Sequence, residues 1–145
     1  ERLLALDLLA EMERRLTNLR KRVILLAMSA GEAREAIRKE FWIFGYEVVL
    51  VDALPVLTGK LEARVPDLIV TDAFDPQMKG REVLEALRCD IVGRGIPVFV
   101  LSSAEMDEPA FRRWEKVRVF VRPCEPEVLV RAAKELFLRR FEGAG

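Results

Sequence analysis

The sequence predicts a doubly wound α/β fold: five parallel strands alternating with helices, preceded by an extra N-terminal helix. Three observations predict it. Short apolar runs rich in β-branched residues recur at 22–27, 46–51, 66–72, 97–101 and 117–121, the pattern of strands buried on both faces. The stretches between them carry apolar residues at three- and four-residue spacing, as amphipathic helices do. Strands that alternate with helices need crossover connections, and right-handed crossovers set helices on both faces of one sheet.

Residues 1–21 contain neither Gly nor Pro, and Leu9, Met12, Leu16, Leu19 and Val23 form a stripe that Leu4 and Leu8 widen. A helix results. Two readings stand: it lies on its own domain, or it is a linker, coiled-coil or dimerisation helix. In a parallel homodimer Arg15 would face Arg20 across the seam, which is unfavourable, whereas an antiparallel pairing avoids it.

The domain proper spans 22–141. After the first strand, Ser29 and Glu32 have capping-box spacing, and Ala33, Ile37, Phe41 and Phe44 share a helix face that should end at Gly45. Trp42, Phe41 and Phe44 read as core or helix-packing residues. The helix expected within 52–64 carries Pro55 and Gly59 and should be short or irregular. Further helices are predicted at 81–88, at 107–116 with Pro109 near its start, and at 125–141 with Pro126 in its first turn. Residues 142–145 form a tail.

Composition narrows the function. At 145 residues the chain suits one domain. Its acids and bases balance at 24 each, so it lacks the positive field that nucleic-acid binding uses. Histidine is absent, which removes histidine general acid/base catalysis, histidine metal ligation and phosphohistidine chemistry. Cys89 and Cys124 form no metal pair and no CxxC motif; they read as free, partly buried thiols in a reducing compartment. No apolar run is long enough to span a bilayer and no signal peptide is visible. The expectation is an excised cytoplasmic piece of a longer protein.

The most informative stretch is Pro-Asp-Leu-Ile-Val-Thr-Asp-Ala-Phe-Asp-Pro-Gln-Met-Lys-Gly, residues 66–80. Its apolar centre is a buried strand that ends at Asp72, and open α/β sheets place ligands at that carboxyl edge. With this stretch, the Gly-Tyr-Glu-Val at 45–48, Ser102 closing the fourth strand and Arg122-Pro123 after the fifth, the chain resembles the receiver domains of bacterial response regulators over 22–140. The resemblance implies a flavodoxin-like, receiver-like sheet and a role in two-component signalling or a phosphorelay. It also implies that the residue at Asp72 accepts a phosphoryl group, that Ser102 contacts its oxygens, that a lysine at the Arg122 position pairs with the charge, and that two acids after the first strand hold magnesium.

The sequence departs from that pattern. The acidic pair falls on Met28 and Ser29, or on Ala27 and Met28, depending on which element sets the alignment. Neither placement supplies a carboxylate, and magnesium is usually anchored by one or two. Arg122 replaces the lysine with a bulkier planar fork, which suits a direct ion pair with Asp72. Val119 stands where the family often has an aromatic switch residue. The expected function is therefore that of a pseudo-receiver: a phosphorylation-independent protein–protein interaction module, not an enzyme, with no cofactor and no metal. Asp72, Ser102 and Arg122 then form a vestigial site. The alternative is a working phosphoacceptor at Asp72 that uses magnesium. Arg112, Arg113, Lys116 and Arg118 are a candidate face for a protein partner, and Leu9, Met12, Leu16 and Leu19 a candidate homodimer seam; direct contact with nucleic acid or membrane is not expected.

Overall fold

The structure, a computed structural model, describes residues 2–19, 21–90, 92–102 and 116–144. Its elements are α1 (Arg2–Leu19), β1 (Val23–Ala27), α2 (Glu32–Ile43), β2 (Glu47–Val51), α3 (Leu54–Ala63), β3 (Leu68–Asp72), α4 (Gly80–Cys89), a short 3-10 turn (Gly93–Gly95), β4 (Val98–Ser102), β5 (Val117–Val121) and α5 (Pro126–Ala144). The helix predicted at 107–116 lies, but for Lys116, outside the described residues.

All five strands are parallel in the order β2-β1-β3-β4-β5. β1, β3 and β4 are buried along their whole length, which is why they read as unbroken apolar runs rather than alternating ones. Alternate residues feed two cores. On one face Ile24, Leu26, Val70 and Phe99 meet Phe41 of α2 and Leu129 and Phe137 of α5. On the other, Leu25, Ile69 and Val100 meet Leu57 and Leu61 of α3 and Val83, Leu84 and Leu87 of α4. The doubly wound reading of the sequence is the observed architecture.

Local chemistry sets the element ends. Gly45 has φ +90°; its N–H donates to the Trp42 carbonyl and that of Tyr46 to the Phe41 carbonyl, the paired bonds of a Schellman C-cap. Asp67 begins β3 by accepting the Val23 N–H at 2.8 Å while its own N–H donates to the Val23 carbonyl. That exchange fixes the register of β3 beside β1.

Several expectations need correction. Ser29 does not cap α2: Gly31 occupies the N-cap without a side-chain bond, because Ser29 is engaged elsewhere. α3 is short but regular, since Pro55 stands in its first turn, where a missing N–H costs nothing. Residues 142–144 are not a tail but continue α5, because the lone Gly143 costs only about 1 kcal/mol within a helix. Cys89 is exposed rather than partly buried, while Cys124 is intermediate. Only Phe41 of the aromatic trio is core; Trp42 is exposed and Phe44 half-exposed, because Trp42 stands about 100° round the helix from Phe41 and Phe44 follows the last residue of α2. α1 presents Leu4, Leu8, Leu9 and Met12 to solvent, against the reading that it lies on its own domain. The side chains of Leu16 and Leu19 lie outside the described residues, and Val23 belongs to β1.

Candidate functional site at the carboxyl edge of the sheet

The carboxyl ends of β1, β3 and β4 bring Met28, Asp72 and Ser102 to one rim, and Arg122 follows the end of β5. Asp72 is buried. Its Oδ1 accepts the Phe74 N–H at 2.8 Å, and its Oδ2 pairs with an Nη of Arg122. Because β4 separates β3 from β5, the arginine must reach across the end of β4 to make that pair. The Arg122 N–H donates to the Ser102 carbonyl at 2.7 Å, which anchors its backbone at the end of β4; the Arg122–Pro123 peptide is cis. The guanidinium stays partly solvated while the carboxylate does not, so Arg122 caps Asp72 from the solvent side.

The place after β1 is occupied differently. Met28 is buried and belongs to the core on the α2–α5 face. Beyond it, Ser29 donates its hydroxyl to Asp75 Oδ1 at 2.6 Å and its N–H to Oδ2 at 2.7 Å. Asp75 also accepts the N–H groups of Gln77 at 3.0 Å and Met78 at 2.7 Å. Burial pushes the Asp75 carboxyl up, but the bonds from Ser29, Met78 and Gln77 together outweigh it and hold it below its ordinary value. Asp75 is thus a structural carboxylate that ties the β3–α4 loop to the end of β1. The one local signal for it in the sequence is an acid two and three residues before the amides it binds, the spacing of an Asx turn.

Gly80 completes the loop. A Cβ there would stand 3.0 Å from the Ala73 Cα and 3.4 Å from the Asp72 carbonyl carbon. Its place in the 66–80 motif therefore reflects close packing of α4 against the chain beside Asp72.

These side chains do not fit a magnesium ion. One Asp72 oxygen is matched to a guanidinium, the Asp75 oxygens already take four donors, and the residue after β1 is a thioether. Among the described residues no three His, Cys, Asp or Glu side chains converge, whereas magnesium requires a near-octahedral oxygen shell.

The basic run is split. Arg112 and Arg113 lie outside the described residues. Lys116 donates its Nζ to the Gly95 carbonyl at 3.2 Å, the Arg118 guanidinium lies 4.8 Å from the centroid of Phe120, and Arg122 is drawn to Asp72. Lys116 and Arg118 share instead a cleft of about 270 Å³ with Arg139, floored by Phe99, Val117 and Leu136.

A five-stranded parallel sheet of order 2-1-3-4-5, with its chemistry at the carboxyl rim, defines a flavodoxin-like α/β domain. Within that class the chain has the fold of the response-regulator receivers. It superposes on a chemotaxis response regulator of Vibrio cholerae with a TM-score of 0.69, at 20% identity over 79% of this chain and 98% of that one. The signal receiver domain of a signal transduction histidine kinase from Syntrophus aciditrophicus gives 0.65 at 25% identity, over 79% and 88%. The receiver domain of a sensor histidine kinase from Pseudomonas aeruginosa, which holds magnesium in its active-site cleft, gives 0.68 at 20% identity, over 79% and 96%. No family model matches the sequence, and no curated protein is significantly similar to it. Among the described residues no helix is long and apolar enough to cross a membrane.

Proposed function

We propose that this chain is a pseudo-receiver: a cytoplasmic domain of a two-component signalling protein that binds protein partners without being phosphorylated. The observation that carries the reading is the Asp72–Arg122 ion pair beside a buried Met28. Phosphorylation of an aspartate needs a carboxylate oxygen free to attack and a cation to offset charge building on the transferred oxygens. Here Oδ2 is occupied by Arg122 and Oδ1 by the Phe74 amide, and the two residues directly after β1, Met28 and Ser29, carry no carboxylate. The reading requires neither catalysis nor a cofactor.

What remains is binding surface. The cleft between β5 and α5 has an apolar floor and, among the described residues, a rim of Lys116, Arg118 and Arg139 against one acid, Glu135. It suits an acidic segment of a protein partner carrying an apolar anchor. The exposed leucines of α1 support a second contact, self-association into a homodimer.

Treatment with acetyl phosphate and magnesium, followed by intact-mass measurement, is expected to leave the mass unchanged. A phosphoryl adduct that disappears in Asp72→Asn overturns the reading in favour of a working phosphoacceptor.

A further inference from the structure

Among the described residues two apolar surfaces stay exposed. One is the stripe on α1, where Leu4, Leu8, Leu9 and Met12 are 54–66% exposed. The other is the corner where α2 ends beside α5, where Leu138 is 63% and Phe44 49% exposed. The corner has depth. A hollow of about 390 Å³ opens there, lined by Arg22, Tyr46, Lys134, Phe137 and Leu138, and the Lys134 Nζ stands 3.9 Å from the centroid of the Phe44 ring. Its floor is aromatic and aliphatic and its rim is cationic.

We infer that the corner receives α1 of a second copy, so that in the dimer each chain's helix fills the other's corner. This rests on the reading that α1 mediates self-association, and it names the surface on which α1 docks. Charge supports the match: Asp7 lies three residues after Leu4, beside it on the helix surface, and borders the leucine stripe with a carboxylate where the hollow presents Arg22 and Lys134.

Reach supports it too. Arg22 lines the hollow and α1 ends at Leu19, so each helix leaves from the rim of its own corner. Its 18 residues extend about 27 Å, enough to cross to a neighbour. A reciprocal exchange is also a closed two-fold arrangement. It covers both surfaces twice, with six large apolar side chains per chain that are about half or more exposed, which suits an ordinary dimer interface of roughly 1,200–2,000 Å². A seam of α1 against α1 would leave the corner in water.

Sedimentation equilibrium tests the exchange on the full chain and on two variants, Leu8→Glu/Leu9→Glu in the stripe and Phe44→Glu/Leu138→Glu in the corner. All four positions are exposed, so both variants should fold, as far-ultraviolet circular dichroism will check. The full chain is expected to dimerise and each variant to dissociate at least about tenfold more readily. Mixed one to one, the variants should associate better than either alone, because the intact helix of one fits the intact corner of the other. A dimer that survives the corner substitutions but not the stripe substitutions overturns the exchange while leaving self-association through α1 standing. A full chain that is monomeric throughout overturns both.

Discussion

Replacing Asp75 by alanine tests whether the carboxyl rim is held by an internal acid rather than by a metal. Asp75 is 8% exposed and accepts four bonds, from the Ser29 hydroxyl, the Ser29 N–H, and the N–H groups of Gln77 and Met78. The hydroxyl can turn to another acceptor, and the Gln77 amide, in an exposed residue, can find water. The Met78 amide cannot, since Met78 is fully buried, and the Ser29 amide is only partly able to. Each amide orphaned in this way costs about 1–3 kcal/mol, so Asp75→Ala should lose about 3 kcal/mol. For a chain of this size that is a fall in Tm of roughly 10 °C.

Urea unfolding followed by circular dichroism is the assay, with the slope unchanged if the variant remains a two-state folder of similar compactness. Ser29→Ala and the double variant complete a cycle, and a coupling of about 1 kcal/mol between the two positions is expected. A loss under about 0.5 kcal/mol in Asp75→Ala, with additive single variants, would refute the role assigned to Asp75.

Two further expectations concern the same rim. The folded-state carboxyl of Asp75 lies below its ordinary value, so its contribution is present above the unfolded-state pKa, about 3.9, and is lost as pH falls through the folded-state value. The stability gap between the parent and Asp75→Asn should therefore hold from neutral pH down to about 4 and narrow below it; a gap that widens on acidification would contradict this. Restoring the receiver pattern with Met28→Asp, Ser29→Asp and Arg122→Lys crowds carboxylates around Asp72 and removes both the guanidinium and the Ser29 hydroxyl. The variant should be less stable than the parent in chelator, bind magnesium by calorimetry and regain stability with it, whereas magnesium affinity already present in the parent would show the rim misread.

The sheet was legible because burial on both faces leaves a mark that depends on few residues. Leu68, Ile69 and Val70 could belong only to an interior strand, and the same holds for Ile24 to Leu26. Asp72 was placed by the strand it ends, and Ser102 and Arg122 by the resemblance to receiver domains. The Asp72–Arg122 pair followed from the resemblance and from charge together: Arg122 stands where the family has a cation that meets the acid, and a buried carboxylate with no metal ligands beside it needs one. Asp75 was not legible in the same way, because its partner Ser29 lies on another strand end and only the order of the strands brings them together. The aromatic residues of α2 were misjudged for a different reason. Trp42 stands about 100° round the helix from Phe41 and Phe44 follows the last residue of α2, so neither goes with Phe41 into the core.

The Asp72–Arg122 ion pair bears on how such a domain could carry information. A conformational equilibrium shifts only as far as a ligand or modification favours one state over the other, and an acid already neutralised by its own chain leaves little charge imbalance for such an input to exploit. A partner then meets a surface that is always competent. A module whose competent form were populated at 1% would bind about a hundredfold more weakly than its contacts allow; a domain held in one form carries no such penalty. Under the proposed function, Arg122 exchanges responsiveness for constant affinity, and control passes to how much of the chain is present and how it is paired.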